Sequence, residues 1–261
     1  WLPGVIGLLG RWLGVLTVFG VAGAVETGYY YVAFAIANVV LMVATSMLGL
    51  LLPVLSSMSD GRKRAASWVL RISSAFMFPL ATYLMVYPYL PLSLLGEEYV
   101  KASPILFTLL FSSLPLVVYT CVNSLVYAYG FYGLVLALGL ASNVPRILLY
   151  YLLVPLYGSL GAAISFTFGG FSGLVAALVI ARKVGFQIDF KGILLVVGIP
   201  LVPALLCYFL SLPWFVGGAL ILGSCLVGYP LLRVISRGDL REVSLAFLGR
   251  EKVNQLYYRF K

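Results

Sequence analysis

Apolar residues fill this chain in long uninterrupted windows, and polar residues are confined to brief intervals between them. A hydrocarbon core about 30 Å thick is crossed by roughly 20 apolar residues in a helix. Windows of that length recur from Val5 to Ile235, at about 5 to 25, 29 to 52, 66 to 89, 102 to 126, 131 to 154, 158 to 181, 192 to 211 and 214 to 235. The pattern predicts an all-α fold, a polytopic transmembrane helix bundle of about eight spans. After the last span, Leu240, Val243, Phe247, Val253, Leu256 and Phe260 recur at helical spacing among basic residues. That spacing predicts an amphipathic tail over 236–261, lying on an anionic membrane surface.

Composition agrees, since 62% of the residues are hydrophobic and 10% charged, where a soluble domain carries about a quarter charged side chains. The length holds one bundle and leaves no room for a separate soluble domain. Orientation follows from Lys and Arg, which are retained on the cytoplasmic side. With eight spans both ends share one face, and 15 of the 17 basic residues fall on it. They include Arg11, Arg62, Lys63, Arg64, Arg71, Arg182, Lys183, Lys191 and the basic tail. Lys101 lies opposite with Glu26, Glu97 and Glu98, and Arg146 lies inside a span. Both termini are therefore expected in the cytoplasm, with the chain in the cytoplasmic membrane. The net charge of +9 reads as topology and attraction to anionic lipids, not as nucleic-acid binding.

Cys121, Cys207 and Cys225 lie within apolar spans without C-x-x-C spacing, which fits buried packing. The chain has no histidine, so a histidine-based metal site or acid–base relay is excluded. G-x-G-x-x-G, G-x-x-x-x-G-K-[ST] and H-E-x-x-H are also missing. No catalytic residue, metal ligand or cofactor is implied, and transport is favoured over catalysis.

Pro79, Pro115 and Pro145 fall near the middles of three spans, and Pro200 and Pro203 interrupt another. Such prolines free carbonyls and kink helices, although proline is also tolerated more readily in membrane helices than in soluble ones. Gly10 with Gly14, and Gly169 with Gly173, have the G-x-x-x-G spacing that lets helix backbones approach.

Arg146 is the most expensive residue in the chain. An Arg at the centre of a span costs about 2.5–3.5 kcal/mol on insertion scales, and no Asp or Glu lies mid-span to offset it. Its guanidinium fork suits phosphate oxygens, so it is a candidate anchor for a phosphate or pyrophosphate headgroup. The alternative is an Arg satisfied by carbonyls freed at Pro145. Asn38, Asn123 and Asn143 are the other strongly polar residues within spans, suited either to sugar hydroxyls or to interhelical bonds. Asn143 shares a helix face with Arg146. Most tyrosines, among them Tyr29, Tyr30, Tyr31, Tyr87 and Tyr89, read as an interfacial belt. Tyr150, one turn beyond Arg146, is a candidate for stacking on a sugar ring.

Several segments, in this order, carry a resemblance: Gly28-Tyr29-Tyr30 followed by Ala33, then Pro53-Val54-Leu55-Ser56, then Leu95-Gly96-Glu97-Glu98-Tyr99 with Ala102. The most specific is Pro155-Leu156-Tyr157-Gly158-Ser159-Leu160-Gly161-Ala162-Ala163. Together they resemble the polysaccharide-export branch of the multidrug/oligosaccharidyl-lipid/polysaccharide flippase superfamily, whose members are MATE-like. The resemblance implies a second six-helix lobe over 1–181, two further transmembrane helices over 182–235 and the tail over 236–261. It implies a facing first lobe as partner, and the chain, opening on Trp1 and not Met, is expected to begin at a cut.

The same resemblance implies transfer of a polyprenyl-linked oligosaccharide or polysaccharide repeat unit across the cytoplasmic membrane, with membrane lipids as the other partners. Arg146 would then hold the phosphate, and Arg71 would recruit it near the cytoplasmic mouth. A cation-coupled multidrug exporter of the same superfamily, a membrane enzyme acting on the same carrier through Glu97 and Glu98, and a non-transporting half-transporter or partner subunit remain alternatives.

Overall fold

A computed structural model of the chain describes residues 2–57 and 61–232. The described residues form α1 (Leu2–Ser57), α2 (Arg62–Val86), α3 (Tyr89–Ser93), α4 (Ser103–Phe111), α5 (Ser113–Ala128), α6 (Tyr132–Val184), α7 (Phe190–Phe209) and α8 (Trp214–Leu231), with a 3₁₀ turn at Glu97–Ala102 before α4. No strand occurs among them. Residues 233–235 of the expected eighth span and the expected amphipathic tail at 236–261 lie outside the described residues, as does the side chain of Arg11.

Among the described residues six stretches are long and apolar enough to cross a membrane, and two of these are too long for one crossing. At 1.5 Å per residue, the 56 residues of α1 and the 53 of α6 would each run to roughly 80 Å. Each breaks at one glycine: α1 at Gly23 (φ 85°, ψ −179°) and α6 at Gly158 (φ 56°, ψ −134°). Around Gly158 the chain turns back on itself, since Ser142 Oγ donates to Gly169 O at 3.0 Å and Ser172 Oγ to Ala141 O at 2.8 Å. Around Gly23 it does the same, with Gly14 brought against the Tyr30 hydroxyl. Each long helix is thus a hairpin of two membrane-length arms, and the described residues hold eight membrane-length segments, in the order the hydropathy predicts.

The prolines behave less uniformly than expected. α2, α6 and α7 run unbroken through Pro79, Pro145, Pro200 and Pro203. Only near Pro115 is there an interruption, where α4 stops at Phe111 and α5 starts at Ser113.

Between membrane helices no water is released on contact, so close packing and hydrogen bonds must hold the bundle. The first arm of α6 lies between both G-x-x-x-G pairs. On one side Gly10 abuts Asn143, and a Cβ on Gly14 would stand 2.8 Å from the Tyr150 ring. On the other, a Cβ on Gly169 would stand 2.6 Å from Arg146 Cβ, and one on Gly173 would stand 3.0 Å from Ser142 Cβ. Outward faces are apolar, as at Leu148, Tyr151 and Leu152 on this arm and Leu205 and Phe209 on α7.

The two ends of the bundle differ in charge. At one, Arg62 Nη1 donates to Ala128 O at 3.0 Å, Lys63 lies beside Gly185, and Arg71 pairs with Asp189 at 2.7 Å. At the other, the Glu26 carboxylate accepts from Ser159 N–H at 3.3 Å and from the Ser159 hydroxyl, tying the two hairpin tips together. Tyr29 there meets Tyr99 edge-on at 6.1 Å. α7 and α8 attach to the bundle through α2. Asp189 bridges that attachment: it pairs with Arg71 and caps α7 by accepting from Gly192 N–H at 3.0 Å.

Four substitutions have expected outcomes in thermal unfolding of the detergent-solubilised chain. Gly158→Ala should destabilise, because its backbone conformation costs a non-glycine residue roughly 1–3 kcal/mol. Gly20→Ala should cost nothing or stabilise slightly, since a Cβ there meets nothing within 4 Å and alanine is the better helix former. Arg71→Ala should cost under about 1 kcal/mol, as expected of a partly exposed pair, while Asp189→Ala adds a lost cap of about 1 kcal/mol. Equal losses at the two positions would show that the cap contributes nothing.

Candidate functional site

A groove of about 570 Å³ opens between the second arm of α1, α5 and the first arm of α6. Tyr31, Phe34, Asn38 and Thr45 face it from α1, Tyr119 and Thr120 from α5, and Ser142, Asn143 and Arg146 from α6. Phe166, on the returning arm of α6, and Trp12, on the first arm of α1, complete its aromatic lining. Among the described residues that line it, Arg146 alone carries a charge.

Arg146 is 5% exposed, and the surroundings of its guanidinium are specific. Its central carbon lies 4.2 Å from the centroid of the Phe166 ring, a cation–π contact that strengthens when desolvated, to about 2 kcal/mol. Nη1 donates to Asn143 Oδ1 at 3.3 Å and Nη2 to Ser142 Oγ at 3.5 Å. Both acceptors are themselves oriented. The Asn143 amide donates to Gly139 O at 2.8 Å, which turns its oxygen toward Arg146. The Ser142 hydroxyl spends its proton on Gly169 O and keeps lone pairs for the guanidinium. Gly169 contributes by lacking a side chain, because a Cβ there would stand 2.7 Å from Arg146 Nε.

The candidates named from the sequence divide into two groups. Arg146, Asn143 and Asn38 meet in the groove. The Asn38 amide nitrogen donates to Phe34 O at 2.7 Å, within its own helix and not across to a neighbour. Tyr150, Asn123 and Arg71 stand apart from it. Tyr150 is fully buried against Gly14, and its hydroxyl donates to Gly10 O at 3.4 Å, so its ring is enclosed by protein. Asn123 is partly buried on α5, one turn beyond Thr120, outside the lining. Arg71 is bonded to Asp189 at the basic end.

Sequence reasoning missed Phe166, Tyr119 and Ser142, and it assigned Tyr31 to the interfacial belt although Tyr31 lines the groove. One signal for Phe166 was present. Reflecting the sequence about the turn at Gly158 pairs Arg146 with the neighbourhood of Gly169 and Phe166. Ser142 and Tyr119 left no such mark, since Ser and Tyr are ordinary in spans.

No family model matches the chain, and no curated protein matches it. Among solved structures the chain is similar to the lipid II flippase MurJ in an inward closed conformation, with a TM-score of 0.77 and 13% sequence identity. The match covers 88% of this chain and 53% of that one. The chain therefore spans about half the length of that flippase, and at this identity the likeness is one of fold. It is a multi-pass, all-helical membrane protein with the fold of about half of a lipid II flippase.

Proposed function

We propose that this chain is the second lobe, with the two terminal helices, of a flippase for a lipid-linked oligosaccharide, and that Arg146 is the anion site of its central groove. The observation that carries this reading is a buried guanidinium on the wall of an open groove whose other described lining residues are uncharged: aromatic, aliphatic and neutral polar. Residues 1–181 form the lobe in this reading, and 182–235 the terminal pair. The basic end faces the cytoplasm of a cell whose cytoplasmic membrane holds the protein.

The physics of the cargo fits such a groove. Each sugar hydroxyl stripped of water without a replacement bond costs on the order of 2–7 kcal/mol. A sugar chain on a lipid therefore needs a polar path while its tail remains in hydrocarbon. Arg146 supplies the fork for a phosphate, Asn143 holds that fork in place, and Tyr31, Tyr119 and Trp12 offer flat faces to a sugar. Polysaccharide repeat units suit the motif resemblance, whereas the solved neighbour is a flippase of lipid II; both are polyprenyl-linked sugars. An open groove needs a facing half before it can close on either side in turn. The 53% coverage of the solved flippase supports that partner. A cation exporter is less well supported, because no described carboxylate lines the groove.

Binding of a polyprenyl-pyrophosphate oligosaccharide, read by thermal stabilisation of the purified full-length transporter, tests the assignment against an organic cation. Arg146→Gln is expected to weaken the lipid-linked sugar by roughly ten- to hundredfold, the worth of a charge-assisted hydrogen bond of about 1.5–3 kcal/mol. Unchanged affinity, or a response to the cation alone, would refute the anion site. Gly169→Ala should also weaken binding although it adds no polar group, because its methyl displaces Arg146. Arg71→Ala should leave affinity within about twofold, as expected for a residue engaged in an exposed structural pair.

A further inference from the structure

The basic end of the bundle holds a second groove. Besides Arg71, which Asp189 takes, that end carries Arg62, Lys63, Arg64, Arg182, Lys183 and Lys191 and no second carboxylate among the described residues. Positive charge there is what cytoplasmic retention requires, so charge by itself marks no site. Lys63 and Lys183 differ from the others because they border one groove, of about 410 Å³, whose floor is Tyr129, Phe131 and Leu134.

Neither lysine is needed to close a helix end. α5 ends on Gly130 (φ 76°), with Gly130 N–H donating to Tyr127 O at 2.9 Å and Phe131 N–H to Val126 O at 3.2 Å. α6 ends on Gly185 (φ 72°), with Gly185 N–H donating to Arg182 O at 3.1 Å and Phe186 N–H to Ala181 O at 2.8 Å. Both are Schellman closures, in which a left-handed glycine lets the backbone satisfy its own last carbonyls. Arg62 takes the Ala128 carbonyl and lies over the Tyr129 ring at 5.3 Å. Tyr129 in turn stacks on Phe131, with centroids 5.9 Å apart and planes 24° from parallel. The floor is thus built and held, while two ammonium groups from separate helices stand at its lips.

We propose that this groove binds the phosphate of an anionic membrane phospholipid, with Lys63 and Lys183 on the phosphate and Tyr129 and Phe131 beneath the glycerol. Two compact ammonium groups match a phosphodiester as point charges, and basic pockets between membrane helices are suited to such headgroups. Tyr132, 63% exposed, extends apolar surface beyond the floor for the acyl chains. A soluble phosphate would use the lysines and leave that surface bare. The site lies at the opposite end of α5 from its start at Ser113, on residues that take no part in the central groove, so it stands whatever the central groove carries.

The test is thermal unfolding of the detergent-purified full chain with phosphatidylglycerol, phosphatidylcholine or inorganic phosphate. It compares the parent with K63Q/K183Q, K63R/K183R and K191Q. Phosphatidylglycerol is expected to raise the melting temperature of the parent, the arginine pair and K191Q, and the glutamine pair should lose at least half of that shift. A glutamine pair that keeps the full shift overturns the site, as does phosphatidylcholine matching phosphatidylglycerol. Inorganic phosphate giving the same shift overturns the lipid assignment in favour of a soluble anion. If the glutamine pair does not fold, K63Q and K183Q are read singly, with phosphatidylglycerol retention counted by native mass spectrometry. Full retention in both then refutes the proposal.

Discussion

Hydrocarbon offers no hydrogen-bond partner to a peptide group, so a chain that crosses it must satisfy every amide and carbonyl internally. The described spans do this as helices, and the turns between them become the costly places. This chain makes two of its turns with almost no loop. One glycine reverses α1 and another reverses α6, at backbone angles closed to other residues. Ser159, beside the second, then gives its N–H and hydroxyl to Glu26 just beyond the first, so one carboxylate serves both hairpin tips.

The same shortage of driving force between helices explains where the small residues lie. With no hydrophobic effect to press apolar helices together inside a bilayer, contact area must come from close approach. Four glycines from two neighbouring arms meet the first arm of α6, and this is the arm that carries Arg146. Packing and charge placement are therefore one design. The glycines bring a second backbone near enough for Ser142 to bond Gly169 O, and near enough for the guanidinium to reach the face of Phe166. A charge that would be expensive beside lipid is held against protein on one side and borders the open groove on the other.

The charged residues at the two ends do different work. At the basic end, the glycine closures of α5 and α6 satisfy helix-end carbonyls through the backbone, Arg62 adds a bond to Ala128 O, and Asp189 anchors the last two helices through Arg71. At the opposite end Glu26 serves the two hairpin turns.

Much of this was legible in the sequence. Eight apolar windows were readable because each span must present about 20 apolar residues irrespective of its neighbours, and the gaps at 25 to 29 and 154 to 158 fall close to the breaks at Gly23 and Gly158. Arg146 with Asn143 was readable because an intramembrane charge stands out and helical spacing sets its company. Arg71 was not, since its role depends on Asp189, which comes close only when α7 packs on α2. Tyr150 looked like a ligand by its distance along the helix from Arg146, yet the first arm of α1 encloses it. Phe166 became part of the site only because α6 folds back. The sequence by itself determined the membrane, the helices and the charge that had to be accommodated, because these follow from local composition against a fixed solvent. Which aromatic faces the guanidinium, which tyrosine is sealed away and which arginine is already paired were decided by tertiary structure alone, because each depends on contacts between residues far apart in the chain.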